Sequence, residues 1–339
     1  MKPREFVLSQ LEHRKTHPVP YSLGFEGDVA AQLDAYYGTP DWRDRLTLYM
    51  AGVGGIDTVG QMRVDEAHVR DAFGSLWRDD RRPWHLVEPA LSEPSLDSLN
   101  FPSADSFYGD LAQLQASALR ACAEKADSFQ IIHIGWGLFE HSWRIRGFEN
   151  AMMDAITEPE FYAALLDRLT DLFLAFVDVW TDVPADAIMF GDDWGFQQGV
   201  LLGPERWRTY IKPRWAKIYQ AVHEQGKYVI SHSCGSVVDI LPDIIEIGLD
   251  VLESVQPEAR GMNPYSLKAK FGDEITFWGC LGSQSTVQFA SPHEIKAEVR
   301  RLCTHMGAGG GYILAPAKSL QPGTPVENAA AIVEAFVEQ

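Results

Sequence analysis

Residues 231–235 combine a histidine and a cysteine at a spacing that suits metal binding. They follow an apolar run that predicts a buried strand, and residues i and i+2 of an extended chain point to the same side. His232 and Cys234 can therefore offer one imidazole nitrogen and one thiolate sulfur to a single ion. Cys280 ends a second apolar run and is the expected third ligand. Two sulfur ligands, one nitrogen ligand and an open fourth position are typical of a catalytic zinc site.

A structural explanation of the same residues stays open at this point. His232 would then be a hydrogen-bonded residue at a strand end, and Cys234 and Cys280 would be buried small hydrophobes. Cys122 and Cys303 lie in helix-like segments and are predicted to be packing residues. Four cysteines in 339 residues do not suggest a disulfide framework, which fits a reducing compartment.

Three carboxylates at other predicted strand ends are predicted to be catalytic. Asp192 and Asp193 could bind a cation, accept protons or hold a substrate hydroxyl, with a helix N-cap or a salt bridge as the structural alternative. Glu253 could be a further metal ligand, a general acid or base, or the residue that orients His232. A surface ion pair is the structural alternative for Glu253.

Further polar and aromatic residues near predicted strand ends are candidates for substrate binding. They are Trp136, Glu140, His141, Trp194, Gln256, Gln284 and Lys318. The aromatic rings could wall a pocket for a flat, apolar ligand, whereas core packing would explain any single ring equally well. The glycines at 308–311 precede a strand and not a helix, so they predict a tight turn and no phosphate cradle.

The scaffold must bring these strand ends together. From about residue 128 onward, short apolar runs alternate with longer amphipathic stretches, which is typical of a parallel sheet covered by helices. The predicted strands are 129–134, 187–190, 228–230, 251–255, 275–278 and 312–315, with 46–50 and 85–88 as earlier candidates. Residues 1–14 predict a helix, and a first strand is expected to start at 18–21.

This alternation predicts an α/β fold of one domain over residues 1–339. The expected architecture is a (β/α)8 TIM-type barrel with an irregular N-terminal elaboration at about 55–105, and an open doubly wound sheet is the alternative. In such a barrel the active site lies at the carboxyl ends of the strands, where all the candidate residues fall.

Composition narrows the classes of partner. The formal net charge of −18 argues against nucleic acid, whose phosphates would be repelled. We expect no membrane span, because no apolar run is long enough, and no secretory signal, because residues 1–5 are charged. A cytoplasmic location follows as an expectation. The sequence leaves the oligomeric state open, with a homodimer as one option.

Several segments together form a recognisable pattern. They are residues 3–5, 18–20, 139–150, 191–195, 232–236, 310–316 and 321–325. With them the chain resembles the uroporphyrinogen decarboxylase superfamily over nearly its whole length, and within it the branch of corrinoid- and zinc-dependent methyltransferases. True uroporphyrinogen decarboxylases carry an Arg-Gln-Ala-Gly-Arg segment that grips the substrate carboxylates. Residues 21–26 read Tyr-Ser-Leu-Gly-Phe-Glu instead, which argues against porphyrinogen decarboxylation.

The resemblance implies a barrel and a metal site. The methyltransferase branch uses a His-x-Cys pair and a later cysteine as zinc ligands, and His232 and Cys234 match the pair. Residues 315–318 lack the later cysteine, so Cys280, or else Glu253 or Asp192, would have to replace it.

The resemblance also implies an activity. A zinc-dependent methyltransferase would move a methyl group between a small substrate, a methoxylated aromatic compound or a thiol, and a corrinoid. This chain has no Asp-x-His-x-x-Gly corrinoid motif, so a separate partner protein would carry the corrinoid. One alternative is a metal-independent decarboxylase or lyase acting on a small carboxylated substrate. Another is a barrel that binds its ligand without catalysis.

Overall fold

A curled parallel sheet forms the centre of the computed structural model, which describes residues 1–60, 62–81 and 83–339. Its seven strands are β1 (Met50–Ile56), β2 (Phe129–Trp136), β3 (Ala187–Gly191), β4 (Tyr228–His232), β5 (Val251–Val255), β6 (Thr276–Leu281) and β7 (Tyr312–Pro316). Strands that are adjacent in the sheet are also consecutive along the chain, and each adjacent pair is parallel. This order has no reversal point, so the open doubly wound alternative is wrong.

Both edges of the sheet approach the same segment of chain. Tyr21 forms a parallel bridge with Leu314 of β7, and the Ser22 N–H donates to the Leu314 carbonyl over 3.0 Å. On the opposite edge, the Tyr21 hydroxyl accepts the Thr47 N–H over 2.9 Å, just before β1. Residues 20–22 therefore lie between β7 and β1, where the sequence predicts a first strand.

The strands are mostly apolar because both faces of the sheet are covered. All six residues of β6 are buried, for example. Buried strands of this kind carry no polar alternation, which is the pattern of a parallel sheet packed between helices and a filled interior. The predicted strands from 129 onward are confirmed, whereas the predicted strand at 46–50 begins only at Met50.

Helices cover the outside of the sheet. Their bounds are Pro3–Leu11, Val29–Tyr37, Asp105–Tyr108, Leu111–Glu124, Leu138–Arg146, Phe148–Thr157, Pro159–Asp178, Pro204–Arg206, Lys212–Glu224, Leu241–Glu246, Pro264–Phe271, Thr286–Phe289, Pro292–His305 and Val326–Val337. A 3-10 turn spans Pro40–Arg45 and a π-helical turn spans Trp207–Ile211. The helix Pro159–Asp178 is typical: proline occupies its first turn, and Leu165, Leu169 and Phe173 form a buried stripe.

A small antiparallel sheet forms the N-terminal elaboration. It consists of Met62–Arg63, His68–Arg70, Leu76–Arg78 and His85–Glu88. The prediction that 85–88 is a strand is therefore confirmed, but its assignment to the central sheet is wrong. Trp77 of this sheet packs edge-on against Trp143 at a ring separation of 6.2 Å, which anchors the sheet to the helix Leu138–Arg146.

Candidate metal centre and cavity

Asp193, His232 and Cys234 bring three potential metal ligands together at the carboxyl ends of β3 and β4. One ligand atom from each lies within 4.8 Å of the others. The Cys234 Sγ is 3.3 Å from the His232 Nε2, which is 3.5 Å from the Asp193 Oδ1. Ligand atoms at zinc-bonding distances in a tetrahedral site lie about 3.3–3.8 Å apart. A sulfur, a nitrogen and an oxygen donor at these separations fit a zinc-type ion with an open position.

Two glycines let the loops after β3 and β4 approach closely enough to form this cluster. A Cβ atom on Gly195 would lie 2.6 Å from the Cys234 carbonyl oxygen. Gly235 has a φ of +76°, and a Cβ atom there would lie 2.6 Å from the Phe196 nitrogen. The Cys234 N–H then donates to the Asp193 Oδ1 over 2.7 Å, which joins the two loops.

His232 is oriented by Glu253 at the end of the neighbouring strand. The Nδ1 atom of His232 hydrogen-bonds the Glu253 carboxylate, so Nε2 is the nitrogen that faces Cys234 and Asp193. Burial disfavours a charged imidazole, but Glu253 and Cys234 outweigh it and raise the pKa of His232 well above its ordinary value. Glu253 thus takes the orienting role, one of its three expected roles, and lies behind the histidine.

A cavity of about 320 Å³ opens beside the cluster. Trp136, Glu140, Asp193 and His232 line it together with His133, Ile134, Gly135, Met189, Phe190 and Gly191. Of the predicted substrate residues, Trp136 and Glu140 are therefore in place. This volume is at the lower end of the range for small-molecule sites, so one small ligand fits.

His133 is a cavity residue that sequence reasoning missed. It lies in the middle of β2 and points inward, where Gly52 of β1 leaves room: a Cβ atom on Gly52 would lie 3.4 Å from the imidazole. Burial lowers the pKa of His133, while Glu253 works in the opposite direction. A histidine in the middle of a mostly apolar strand was the available signal.

Asp192 caps a helix instead of facing the cavity. It is fully buried, and it accepts the backbone N–H groups of Phe139 and Glu140 and the indole N–H groups of Trp194 and Trp215 over 2.8–3.2 Å. Burial raises its pKa to about 6, although the four donors oppose that shift. The predicted catalytic role of Asp192 is therefore corrected to the structural alternative, in which its carboxylate caps the start of a helix.

Glu140 is buried beside this carboxylate and borders the cavity. Burial, followed by the charges of Asp192 and Asp193, raises the pKa of Glu140 well above its usual range. These surroundings favour the neutral carboxylic acid form of Glu140, which borders the cavity.

Two predicted substrate residues belong to the core. Trp194 is 1% exposed and its ring nitrogen is occupied by Asp192. His141 is completely buried between Phe73 and Phe173, at ring separations of 5.1 and 6.0 Å, and burial lowers its pKa to about 3. Neither residue is among those that line the cavity, since the helix residue His141 packs on Phe73 and Phe173 and Trp194 packs on Trp207 and Trp215.

Cys280 is separated from the other two ligands. Its electrostatic neighbours are Tyr312 and Glu298, the latter on the helix Pro292–His305, and burial raises the pKa of its thiol. Within the described part of the chain, the ligand cluster contains Asp193 where the sequence predicts Cys280. The φ of Cys280 is +75° and that of Gly279 is +119°, so the strand loses its regular alternation at this point.

The remaining candidates, Gln256, Gln284 and Lys318, lie in the loops that follow β5, β6 and β7. The Gln256 Oε1 accepts the Gly235 N–H over 3.1 Å and so supports the Cys234 loop. The Gln284 Oε1 accepts a hydrogen bond from the Gln197 side chain over 2.9 Å, and Lys318 is exposed. These three residues are outside the cavity lining, so the structure does not bring them to a ligand there.

The comparisons with known proteins agree with this scaffold. The model of the uroporphyrinogen decarboxylase (URO-D) family matches residues 85–339. The chain belongs to this family. It is 24% identical to a uroporphyrinogen decarboxylase of Pelodictyon phaeoclathratiforme, over 89% of this chain and 85% of that protein.

Methyltransferases are also among the relatives of this URO-D family chain. It is 28% identical to the methylcobamide:CoM methyltransferase MtaA of Methanosarcina barkeri, over 53% of this chain. That match spans 50% of the relative's own length. A solved structure titled methyltransferase from Methanosarcina mazei superposes with a TM-score of 0.72 and 20% identity, covering 100% of this chain and 99% of that one. At 20% identity, the similarity to the Methanosarcina mazei structure concerns the fold alone.

Among the described residues, no helix is both long enough and apolar enough to cross a membrane.

Proposed function

We propose that this chain is a zinc-dependent methyltransferase that moves a methyl group between a small substrate and a corrinoid carried by a partner protein. The substrate would be a methoxylated aromatic compound or a thiol. The Asp193–His232–Cys234 cluster beside a small cavity carries this proposal, because its donor set suits a metal that activates a heteroatom. The methyltransferase relatives support the same direction.

This proposal takes the central sheet to close into a complete barrel. Residues 20–22 would act as the eighth strand between β7 and β1, and residues 1–339 would form one domain. The cluster and the cavity would then lie at the carboxyl-terminal mouth of the barrel, where a partner protein can reach them.

Each residue of the site has its own role in the proposed reaction. The Glu253 carboxylate holds the proton on the Nδ1 atom of His232, so that Nε2 keeps its lone pair for the metal. Asp193 and Cys234 supply the oxygen and sulfur ligands, and the hydrogen bond between them fixes both loops. When bound, zinc would lower the pKa of a thiol or polarise an ether oxygen as a Lewis acid.

Glu140 supplies the proton that an ether substrate needs. When the methyl group leaves an aryl ether, the C–O bond breaks and its electron pair remains on the oxygen. Burial and the neighbouring carboxylates raise the pKa of Glu140, which favours the carboxylic acid that can donate its proton to that oxygen. His133 and the Trp136 ring border the space in which the substrate would lie.

A metal-independent decarboxylase or lyase acting on a small carboxylated substrate is the second candidate. It is favoured by the uroporphyrinogen decarboxylases among the relatives. Such an enzyme would work after complete removal of the metal, whereas the methyltransferase would not.

The decisive experiment is a methyl-transfer assay in which candidate corrinoid proteins are added or omitted. We expect transfer only when both zinc and a corrinoid protein are present. Full turnover after treatment with a chelator and without any corrinoid would contradict the methyltransferase proposal and favour the lyase.

A further inference from the structure

We infer that the cavity selects an uncharged aromatic methyl ether and rejects anionic analogues. This inference rests on the proposed function and names its substrate class. Its basis is the charge of the groups that surround the cavity.

The first observation concerns the lining. Among the described residues that border the cavity there is no lysine and no arginine. Its acidic groups are Glu140 and Asp193, and its apolar walls come from Ile134, Met189 and Phe190. A substrate carboxylate or sulfonate placed here would lose its hydration without gaining a lysine or arginine as a partner, and that loss is costly for a charge in a low-dielectric site.

The second observation concerns the nearby guanidinium of Arg144, which is shielded from the cavity. Its Cζ atom lies 4.7 Å from the Trp136 ring centroid and 4.2 Å from that of Trp77. It is 1% exposed, and its Nη2 is 3.7 Å from the Asp71 carboxylate. The Trp136 ring therefore stands between this cation and any ligand, which cannot form a direct ion pair with it.

A bound zinc ion would not reverse this conclusion. The Cys234 thiolate and the Asp193 carboxylate are both anionic donors, so together they would offset the two charges of the ion. The Glu253 carboxylate behind His232 adds a further negative charge close by.

A cationic ligand is disfavoured by the arrangement around Trp136. Attraction between a cation and an aromatic ring depends on the negative face of the ring. Arg144 already occupies one face of Trp136, so a second cation stacked on the same ring would meet its positive charge. A neutral aromatic ring packed against the exposed part of Trp136 loses no ionic hydration and is not repelled by Arg144.

The test uses three ligands of the same shape with different charge at the para position. Binding of 4-methoxybenzyl alcohol, 4-methoxybenzoate and 4-methoxybenzylamine to the zinc-loaded full-length protein would be measured by isothermal titration calorimetry at pH 7. We expect the alcohol to bind at least about tenfold more tightly than either charged compound, a difference of about 1.4 kcal/mol. Tighter or equal binding of a charged compound, or no detectable binding of the alcohol, would overturn the inference.

A variant pair tests the same point from the protein side. Met189 borders the cavity and is half-buried, so Met189→Lys would place a cation among the lining residues. We expect Met189→Lys to gain affinity for the benzoate, whereas the matched control Met189→Leu keeps the preference for the alcohol. An unchanged preference in a folded Met189→Lys protein would count against the electrostatic argument.

These measurements separate the inference from the function on which it rests. Since binding is measured without turnover, a protein that binds the alcohol but transfers no methyl group contradicts the proposed function alone. A protein that transfers methyl groups from the benzoate as readily as from the alcohol contradicts the inference alone.

Discussion

The Nδ1 atom of His232 hydrogen-bonds the Glu253 carboxylate, while the Nε2 atom of the same ring lies 3.3 Å from the Cys234 sulfur. This pairing fixes the ring orientation and leaves Nε2 as the nitrogen that faces Cys234 and Asp193. Carboxylates in this position usually tune a metal-binding histidine in the same way. We therefore expect Glu253 to act as a positioning residue for the proposed metal centre, and this role can be measured.

Glu253→Gln is expected to weaken zinc binding by about 10–100-fold, because a neutral amide holds the imidazole less firmly. The dissociation constant would be measured by competition with a chelating dye. The matched control is Glu258→Gln, since Glu258 accepts the Gln284 N–H and the Ser285 hydroxyl in a neighbouring loop. Equal zinc affinities in Glu253→Gln and the wild type would show that Glu253 does not act through His232.

The two cysteines should differ in their effect on metal content. Cys234→Ser removes the sulfur donor of the cluster, so we expect the purified variant to hold much less zinc than the wild type. Cys280→Ser should retain its zinc and lose only stability, because Cys280 is buried beside Tyr312. Elemental analysis of the two variants distinguishes the possibilities. Loss of zinc in both variants would restore the ligand set that the sequence predicts.

Asp192 and Asp193 offer a second matched pair. In Asp192→Asn an amide N–H2 group would face at least one of the four N–H donors that the carboxylate now accepts. We expect the free energy of unfolding to fall by about 2–4 kcal/mol, the usual cost of unsatisfied donors at a buried charge. Asp193→Asn should leave the unfolding free energy of the metal-free protein nearly unchanged, because Asp193 is 40% exposed.

Denaturant titration of both metal-free variants measures this difference. Zinc affinity would change in the reverse order, with the larger loss in Asp193→Asn. If Asp192→Asn unfolds at the same denaturant concentration as the wild type, Asp192 is not the structural carboxylate that its contacts indicate.

The sequence predicts the strands and the His-x-Cys pair well, because both depend on local periodicity. The inward direction of His232 and Cys234 follows from their spacing at the end of a regular strand. The same reasoning fails at Cys280, where two successive residues have positive φ and the alternation stops. Local periodicity also cannot tell which of Asp192 and Asp193 faces the metal site, because consecutive residues point to opposite sides. Asp192 is the one that accepts the buried indole N–H groups of Trp194 and Trp215, and the position of Trp215 depends on the tertiary fold.

Glu140 should make stability depend on pH in a definite direction. Its folded-state pKa is raised well above the ordinary value of 4.5. Its contribution to stability is therefore fully present below about pH 4.5 and is lost as the pH rises through the raised pKa. Glu140→Gln cannot ionise, so the variant should gain stability relative to the wild type as the pH increases from 5 to 9.

The measurement is denaturant unfolding of both metal-free proteins across that pH range. Glu149→Gln, which changes an exposed carboxyl group nearby, is the control and should follow the wild type. A constant difference between Glu140→Gln and the wild type would mean that Glu140 is not buried as a neutral acid.

Gly235 tests whether the close approach of the two loops is needed for the metal centre. Gly235 and Gly203 both have a positive φ, +76° and +75°, so alanine carries a backbone cost of about 1–2 kcal/mol or more at either position. A Cβ atom at Gly203 meets nothing within 4 Å, whereas one at Gly235 would lie 2.6 Å from the Phe196 nitrogen. Gly235→Ala should therefore cost more stability than Gly203→Ala and should also weaken zinc binding, because the Cys234 and Asp193 loops must separate. Chelator competition and denaturant unfolding of the two variants measure both effects, and equal zinc affinities would show that the cluster tolerates a wider separation of its loops.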